Sequence, residues 1–413
     1  MHAAHGSLQK RQAQRHDKEE SGMNTTCKAA VWSGPQKIEI QNIRMPECMD
    51  DGLIIKLEAA SICGTDLHLF RQAPPSPLIL GHEMCGRIVE MGKNAARAMR
   101  CYTGNIKVGD RICLYPWVVC GTCSNCLTYG IGACGICENA FVYGVPFEEL
   151  GVGGIPVRSN AVDEAPYLKG GFAEYMYVFP GTFMWQVPEE MPSNVASLLD
   201  PMAVAMRSVE LAMRAPGIFE DSFNLGSTVL VIGDGQVAAL TAMIARALGV
   251  QNIIISGFSE QKLALAQKLS KADAVMNSAK MPIEERKEII AGFNHGKGAD
   301  VVFQCAGSPQ AFRDGIDLLK NVGTLIETGN IVGKSTVEFD PARDLCSKHA
   351  TYIGMSVNTA GAFNKAFQML CKFKQLGFGD IFTHRCTLDS LLETMMKGGD
   401  PDYMKGWVDF DHE

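Results

Sequence analysis

Residues 227–256, STVLVIGDGQVAALTAMIARALGVQNIIIS, constrain the fold of this chain more than any other stretch. An apolar run ends at Ile232, a Gly-Asp-Gly turn follows, apolar residues then recur at helical spacing, and a second apolar run closes the segment. The order is buried strand, glycine turn, amphipathic helix, buried strand. The runs ADVVFQCAG, GTLIETGN and ATYIGMSV follow, separated by helical patterns such as AFRDGIDLLKN. Strands alternating with helices predict an α/β domain built on a doubly wound parallel sheet. The preceding part has a different texture. From Met23 to about Asp200 short alternating runs (KAAVWS, LIIKLEAA, CGRIVEMG, DRICLYPWVV, FAEYMYV) are broken by Gly and Pro. They predict a β-rich domain, followed by a helix from about Pro201 to Ala215.

In a strand–turn–helix context Gly233 and Gly235 let a dinucleotide pyrophosphate approach the backbone and the helix N-terminus at Gln236 and Val237. The third glycine of that fingerprint is Ala238, which is small enough for the pattern. The next strand ends IIISGFSEQK, with no acidic residue to hold the ribose hydroxyls. Gly257 occupies that place, and Ser259 and Lys262 just beyond it are candidate cofactor contacts. An absent carboxylate removes repulsion against a 2′-phosphate, yet no Arg follows to clamp one. NAD and NADP both remain expected.

CGTCSNCLTYGIGACGIC, residues 120–137, packs five cysteines into eighteen positions. Cys120, Cys123 and Cys126 have the C-x2-C-x2-C spacing that lets thiolates converge on one ion from a tight turn. A fourth sulfur would close a structural zinc site. Cys134 and Cys137 are both candidates for it. An iron–sulfur cluster would show a third short spacing and a following Pro, and neither is present. The chain has 15 cysteines, an odd number, and no secretory signal, so disulfides fit poorly and a reducing, cytoplasmic setting is expected.

A net charge of -7 with no basic footprint argues against nucleic acid, and no apolar run reaches the length of a membrane helix. Residues 1–22 are polar and predict a disordered extension.

SICGTDLHLF and LILGHEMCG bring together Cys63, Asp66, His68, His82 and Glu83. A thiolate, an imidazole and carboxylates around an open position are what a catalytic zinc needs. With ICGTD, GHE, the cysteine lobe, GGFAEY at 170–175, DPMAV at 200–204 and the GDGQVA loop, the chain resembles the zinc-containing medium-chain alcohol dehydrogenases from about Met23 onward. It is nearest to their polyol, threonine and secondary-alcohol branches.

The resemblance implies a GroES-like catalytic domain over residues 23–202 and 359–413, carrying the zinc lobe at 120–137, and a Rossmann domain over 203–358. It implies two Zn2+ per chain and NAD or NADP. Cys63 and His82 would bind the catalytic zinc, with Asp200 as third protein ligand and Glu83 as an alternating ligand or the carboxylate behind the metal. Asp66 would fix the His82 ring. Thr65 would pass the alcohol proton outward, with His68 as the next relay or a plain surface histidine. The partners implied are a small alcohol or ketone and further copies of the chain in a homodimer or homotetramer.

Arg71, Met84 and Met202 are candidate pocket residues by proximity alone, and no role attaches to Arg207. The segment 138–169 reads as a surface loop, a flap over the cleft or an assembly contact. The rival readings are a non-catalytic cofactor-binding relative holding only the structural zinc, a zinc-free quinone or enone reductase, and a zinc-ribbon interaction module. The intact ligand motifs speak against the first two, and the nucleotide fold against the third.

Overall fold

The computed structural model describes residues 25–132, 134–146, 160–215, 223–330 and 336–411, with Cys134 described by its backbone alone. The polar stretch 1–22 and residues 147–159 of the Gly-rich segment lie outside the described residues.

The β-rich part opens with a hairpin of β1 (Thr26–Gly34) and β2 (Lys37–Arg44), and β1 also pairs with β4 (Leu78–Ile79). A larger sheet has eight strands. Its members are β3 (Leu53–Ser61), β5 (Glu83–Met91), β6 (Arg100–Cys101), β7 (Arg111–Leu114), β10 (Tyr175–Val178), β11 (Phe183–Gln186), β18 (His384–Cys386) and β19 (Gly406–Asp409). The order is β18-β19-β3-β5-β7-β11-β6, with β10 on β3. Strands β18 and β19 come from the C-terminal end of the chain, which returns to this sheet after the second domain.

DRICLYPWVV, expected as one strand, is two: β7 and then β8 (Trp117–Val118), which pairs with β9 (Phe141–Val142). Pro116 lies between them. It has no N–H for a ladder, and the chain turns there out of the main sheet.

The second domain is a six-stranded parallel sheet of β12 (Thr228–Ile232), β13 (Asn252–Gly257), β14 (Ala274–Asn277), β15 (Ala299–Gln304), β16 (Leu319–Glu327) and β17 (Thr351–Gly354). Its order is β14-β13-β12-β15-β16-β17, so the direction of winding reverses between β12 and β15. A crevice opens at such a switch point, beyond the carboxyl ends of the strands. All five residues of β12 are buried, as a central strand with both faces covered requires.

The helices that position the site are α1 (Gly64–Leu69), α2 (Leu199–Arg214), α3 (Gln236–Ala247), α4 (Glu260–Ser270), α5 (Ile283–Phe293), α6 (Pro309–Leu318) and α7 (Ala360–Lys372). Helix α2 starts two residues before its expected first residue, which places Asp200 inside its first turn. Helix α3 is buried without interruption from Ala238 to Ala245. Ala238 and a run of small residues let it lie close against the sheet.

Candidate active site and metal centres

Antiparallel pairing of β3 with β5 sets Ser61 opposite Glu83. Cys63, two residues past β3, is thereby brought beside His82, one residue before β5. One ligand atom each from Cys63, His82 and Glu83 lie within 4.8 Å of one another. Asp66 shapes the corner: its Oδ2 accepts the Cys63 N–H at 2.9 Å and its Oδ1 lies 3.4 Å from His82 Nδ1. That orients the ring, with the rest of the imidazole turned toward Cys63.

The electrostatics of this corner suit a cation. Burial disfavours the His82 imidazolium, but the Asp66 carboxylate and the Cys63 sulfur outweigh it and raise the pKa well above the usual histidine value. Burial, reinforced by Glu83, pushes the Cys63 thiol up. Burial and the Glu83 charge together push Asp200 up to about 7. Glu83 Oε1 is buried without a hydrogen-bond partner. A soft sulfur, an imidazole and crowded carboxylates of this kind fit a divalent zinc, which would stabilise the thiolate and carboxylate forms.

Behind the ligands sits a group the sequence reading missed. Lys405 is 0% exposed and its Nζ donates to Glu83 Oε2 at 2.6 Å, to Ile62 O at 3.3 Å and to Gln236 Oε1. Ser61 also donates to Glu83 Oε2. One lysine therefore joins the metal corner to the first residue of α3. Its signal in the sequence is a lone charge inside the apolar run YMKGWV.

A cavity of about 150 Å³ is bounded by Cys63, Thr65, His82, Glu83 and Asp200 on one side and by Gln236 and Val237 on the other. Tyr115, Trp117, Val142, Val204 and Phe363 make its wall largely apolar. Asp200 shares this space but stands outside the tight group of three ligand atoms. Other expected residues lie elsewhere. His68 is exposed and is not on the cavity wall, because it lies on the outward face of α1, opposite the buried Asp66 and Leu69. Met84 and Met202 are core residues, 2% and 0% exposed, and with Arg71 they stay off the wall. Arg207 lies 3.9 Å from Glu210 on α2.

Gly233, Gly235 and Gly257 line a second cavity, of about 440 Å³, at the switch point. Gly233 has φ +131°, a conformation that favours glycine. Ser259 and Lys262 do not line it. Ser259 caps α4, accepting from the Lys262 N–H at 3.3 Å, and its hydroxyl donates to Pro401 O at 2.6 Å.

In the lobe, one sulfur each from Cys120, Cys123, Cys126 and Cys137 lie within 4.8 Å of one another. The Cys120 and Cys137 sulfurs are 3.6 Å apart. Cys137 thus completes the set among the described residues; the Cys134 side chain is outside them. Burial opposes ionisation of Cys120, but the N–H groups of Thr122 and Cys123 outweigh it and bring the thiol down to about 6. The four sulfurs fit a closed structural zinc.

The alcohol dehydrogenase GroES-like domain family matches residues 49–189 and the zinc-binding dehydrogenase family matches residues 237–372. An L-threonine 3-dehydrogenase of Xanthomonas campestris pv. campestris is 30% identical over 300 residues, 71% of this chain and 74% of that relative. The chain belongs to the zinc-containing medium-chain alcohol dehydrogenase family. D-xylulose reductase of Saccharomyces cerevisiae is 25% identical over 378 residues, 89% of this chain and 93% of that protein. An alcohol dehydrogenase structure from Thermotoga maritima superposes with TM-score 0.80 at 26% identity, covering 94% of this chain and all of that one. As a family member the chain is a zinc-dependent NAD(P) oxidoreductase acting on a CH–OH group. No helix among the described residues is long and apolar enough to cross a membrane.

Proposed function

We propose that this dehydrogenase interconverts a secondary alcohol or polyol and the corresponding ketone. Its catalytic zinc would be held by Cys63 and His82, with Asp200 and Glu83 as the available carboxylates. The observation that carries the reading is the shared cavity: the Cys63, His82 and Glu83 group and the Gln236–Val237 start of the cofactor helix line one space. Zinc held there would supply Lewis acidity for the substrate oxygen, and a dinucleotide held at the Gln236–Val237 end would supply the hydride chemistry.

The protein's own residues do the rest. Asp66 keeps the His82 ring in place for the metal. Thr65, on the cavity wall, takes the substrate hydroxyl proton. Lys405 balances the Glu83 charge and steadies Gln236. The apolar wall excludes water from the reacting carbon. Asn358, 5% exposed and on the same wall, has an Oδ1 without a hydrogen-bond partner. It would accept from a second hydroxyl or an amino group on the substrate. The names of the relatives agree with such a substrate. Threonine carries a secondary 3-hydroxyl beside an amino group, and xylulose a ketone beside hydroxyls.

A panel of primary alcohols, secondary alcohols and polyols, run with both NAD and NADP, tests the reading. Secondary alcohols bearing a neighbouring polar group should exceed primary ones in kcat/KM by about tenfold or more. Turnover confined to primary alcohols would overturn it.

A cytoplasmic homodimer or homotetramer completes the proposal. The lobe exposes Leu127 and Tyr129, 74% and 66% exposed, with Ile136 at 45%. Apolar side chains gathered on one surface lobe suit a subunit contact.

A further inference from the structure

We propose that Asp234, the residue between the two glycines of the β12–α3 turn, supplies the carboxylate that holds the adenosine ribose 2′-hydroxyl. It thereby makes NAD, rather than NADP, the cofactor. The inference rests on the dehydrogenase reading above.

In a doubly wound sheet a carboxylate at the carboxyl end of the second strand takes that hydroxyl. Here the second strand, β13, ends in Gly257. The end of the strand is nevertheless acidic. Ile232 is in register with Ser256, so the turn after β12 lies alongside the residues after β13. Asp234 reaches across that gap: its Oδ2 accepts the N–H of Phe258 at 2.8 Å and of Ser259 at 2.6 Å. Two backbone donors pin the carboxylate at the strand end. Both bonds use Oδ2, and Oδ1 accepts from no described residue.

Gly257 is what makes room for this arrangement. A Cβ at position 257 would lie 2.6 Å from Asp234 Cβ and 3.0 Å from its Cγ and Oδ2. An acidic side chain at 257 and Asp234 in its present place exclude each other. The carboxylate has been relocated from the strand to the loop, and spacing along the sequence conceals it.

Asp234, Gly257 and Phe258 line the same cavity of about 440 Å³ as Gly233 and Gly235. The cavity's cation, Arg286, does not offset the charge. Its guanidinium donates to Asp314 Oδ2 at 2.8 Å, and the two side chains are only 7% and 12% exposed. A 2′-phosphate arriving at the strand end would therefore meet an anion that forms no salt bridge with a cation among the described residues. A hydroxyl would meet an acceptor.

The test is a titration of the zinc-loaded, full-length chain with NADH and with NADPH, followed by nicotinamide fluorescence. Wild type should bind NADH at least about tenfold more tightly than NADPH. Asp234→Asn keeps an oxygen for the two backbone donors and removes the charge, so it should reduce that ratio about tenfold. The paired change Asp234→Gly with Gly257→Asp removes the three atoms nearest to a Cβ at 257 and returns the carboxylate to the strand. It should restore the NADH preference.

Wild type binding NADPH as tightly as NADH would overturn the proposal. Equal weakening of both cofactors by Asp234→Asn would also overturn it, since a residue that only shapes the loop would behave that way. Binding of neither dinucleotide by wild type would defeat the dehydrogenase reading itself, and the proposal with it.

Discussion

Lys405→Met should destabilise the β-rich domain by about 3–5 kcal/mol, the cost of stripping one partner from a buried ion pair. The lysine and Glu83 side chains are both 0% exposed and 2.6 Å apart. Once the ammonium is gone, Glu83 retains only the Ser61 hydroxyl on Oε2, while Oε1 has no partner at all. Lys405 is the only lysine or arginine paired with Glu83 among the described residues, so its loss leaves a buried carboxylate without a basic side chain and the penalty is large. Combining the substitution with Glu83→Gln removes both charges and should recover most of the loss, because the penalty lies in the orphaned charge rather than in the pair. Guanidinium unfolding followed by tryptophan emission gives a direct reading. All four tryptophans, Trp32, Trp117, Trp185 and Trp407, belong to strands of this domain. A single variant as stable as wild type would mean that Lys405 does not neutralise Glu83.

Thr65→Val should lower kcat by about 100- to 10,000-fold, the range of a positioned proton-transfer group. Thr65 stands in the first turn of α1 on the wall that also carries Cys63, His82 and Asp200. Valine keeps the shape of the side chain and deletes only the hydroxyl, so zinc content and KM should change little. Thr65→Ser, which restores a hydroxyl, should recover most of the rate. If the serine variant were as slow as the valine variant, the role would be packing rather than proton transfer.

Much of the fold was legible because its strongest signals are local. Buried parallel strands read as apolar runs, and TVLVI followed by Gly-Asp-Gly left little alternative to a strand entering a helix. Cys63 and His82 were legible because ICGTD and GHE place them at the facing ends of β3 and β5. The cysteine lobe was readable except for its fourth sulfur, since Cys134 and Cys137 both satisfy a spacing argument and only the fold brings Cys137 to the other three. What stayed hidden depends on contacts between distant segments. Lys405 meets Glu83 across 322 residues. Asp234 meets the end of β13 across a sheet register that no spacing reveals. Ser259 and Lys262 were singled out by nearness to the strand end, but Ser259 is occupied as a helix cap. His68 was singled out by nearness to Thr65, and the helix carries it outward.

The central claim is that two distinct groups of side chains each hold a zinc, and that the Cys63–His82 group is the one that works. Zinc per chain, measured by elemental analysis alongside dehydrogenase activity, tests it most directly. Wild type should carry two zincs, one for each of the two ligand groups, and the variant Cys63→Ser with His82→Ala should carry one and be inactive. One zinc in wild type, unchanged by those substitutions, would leave only the cysteine lobe occupied and contradict the account.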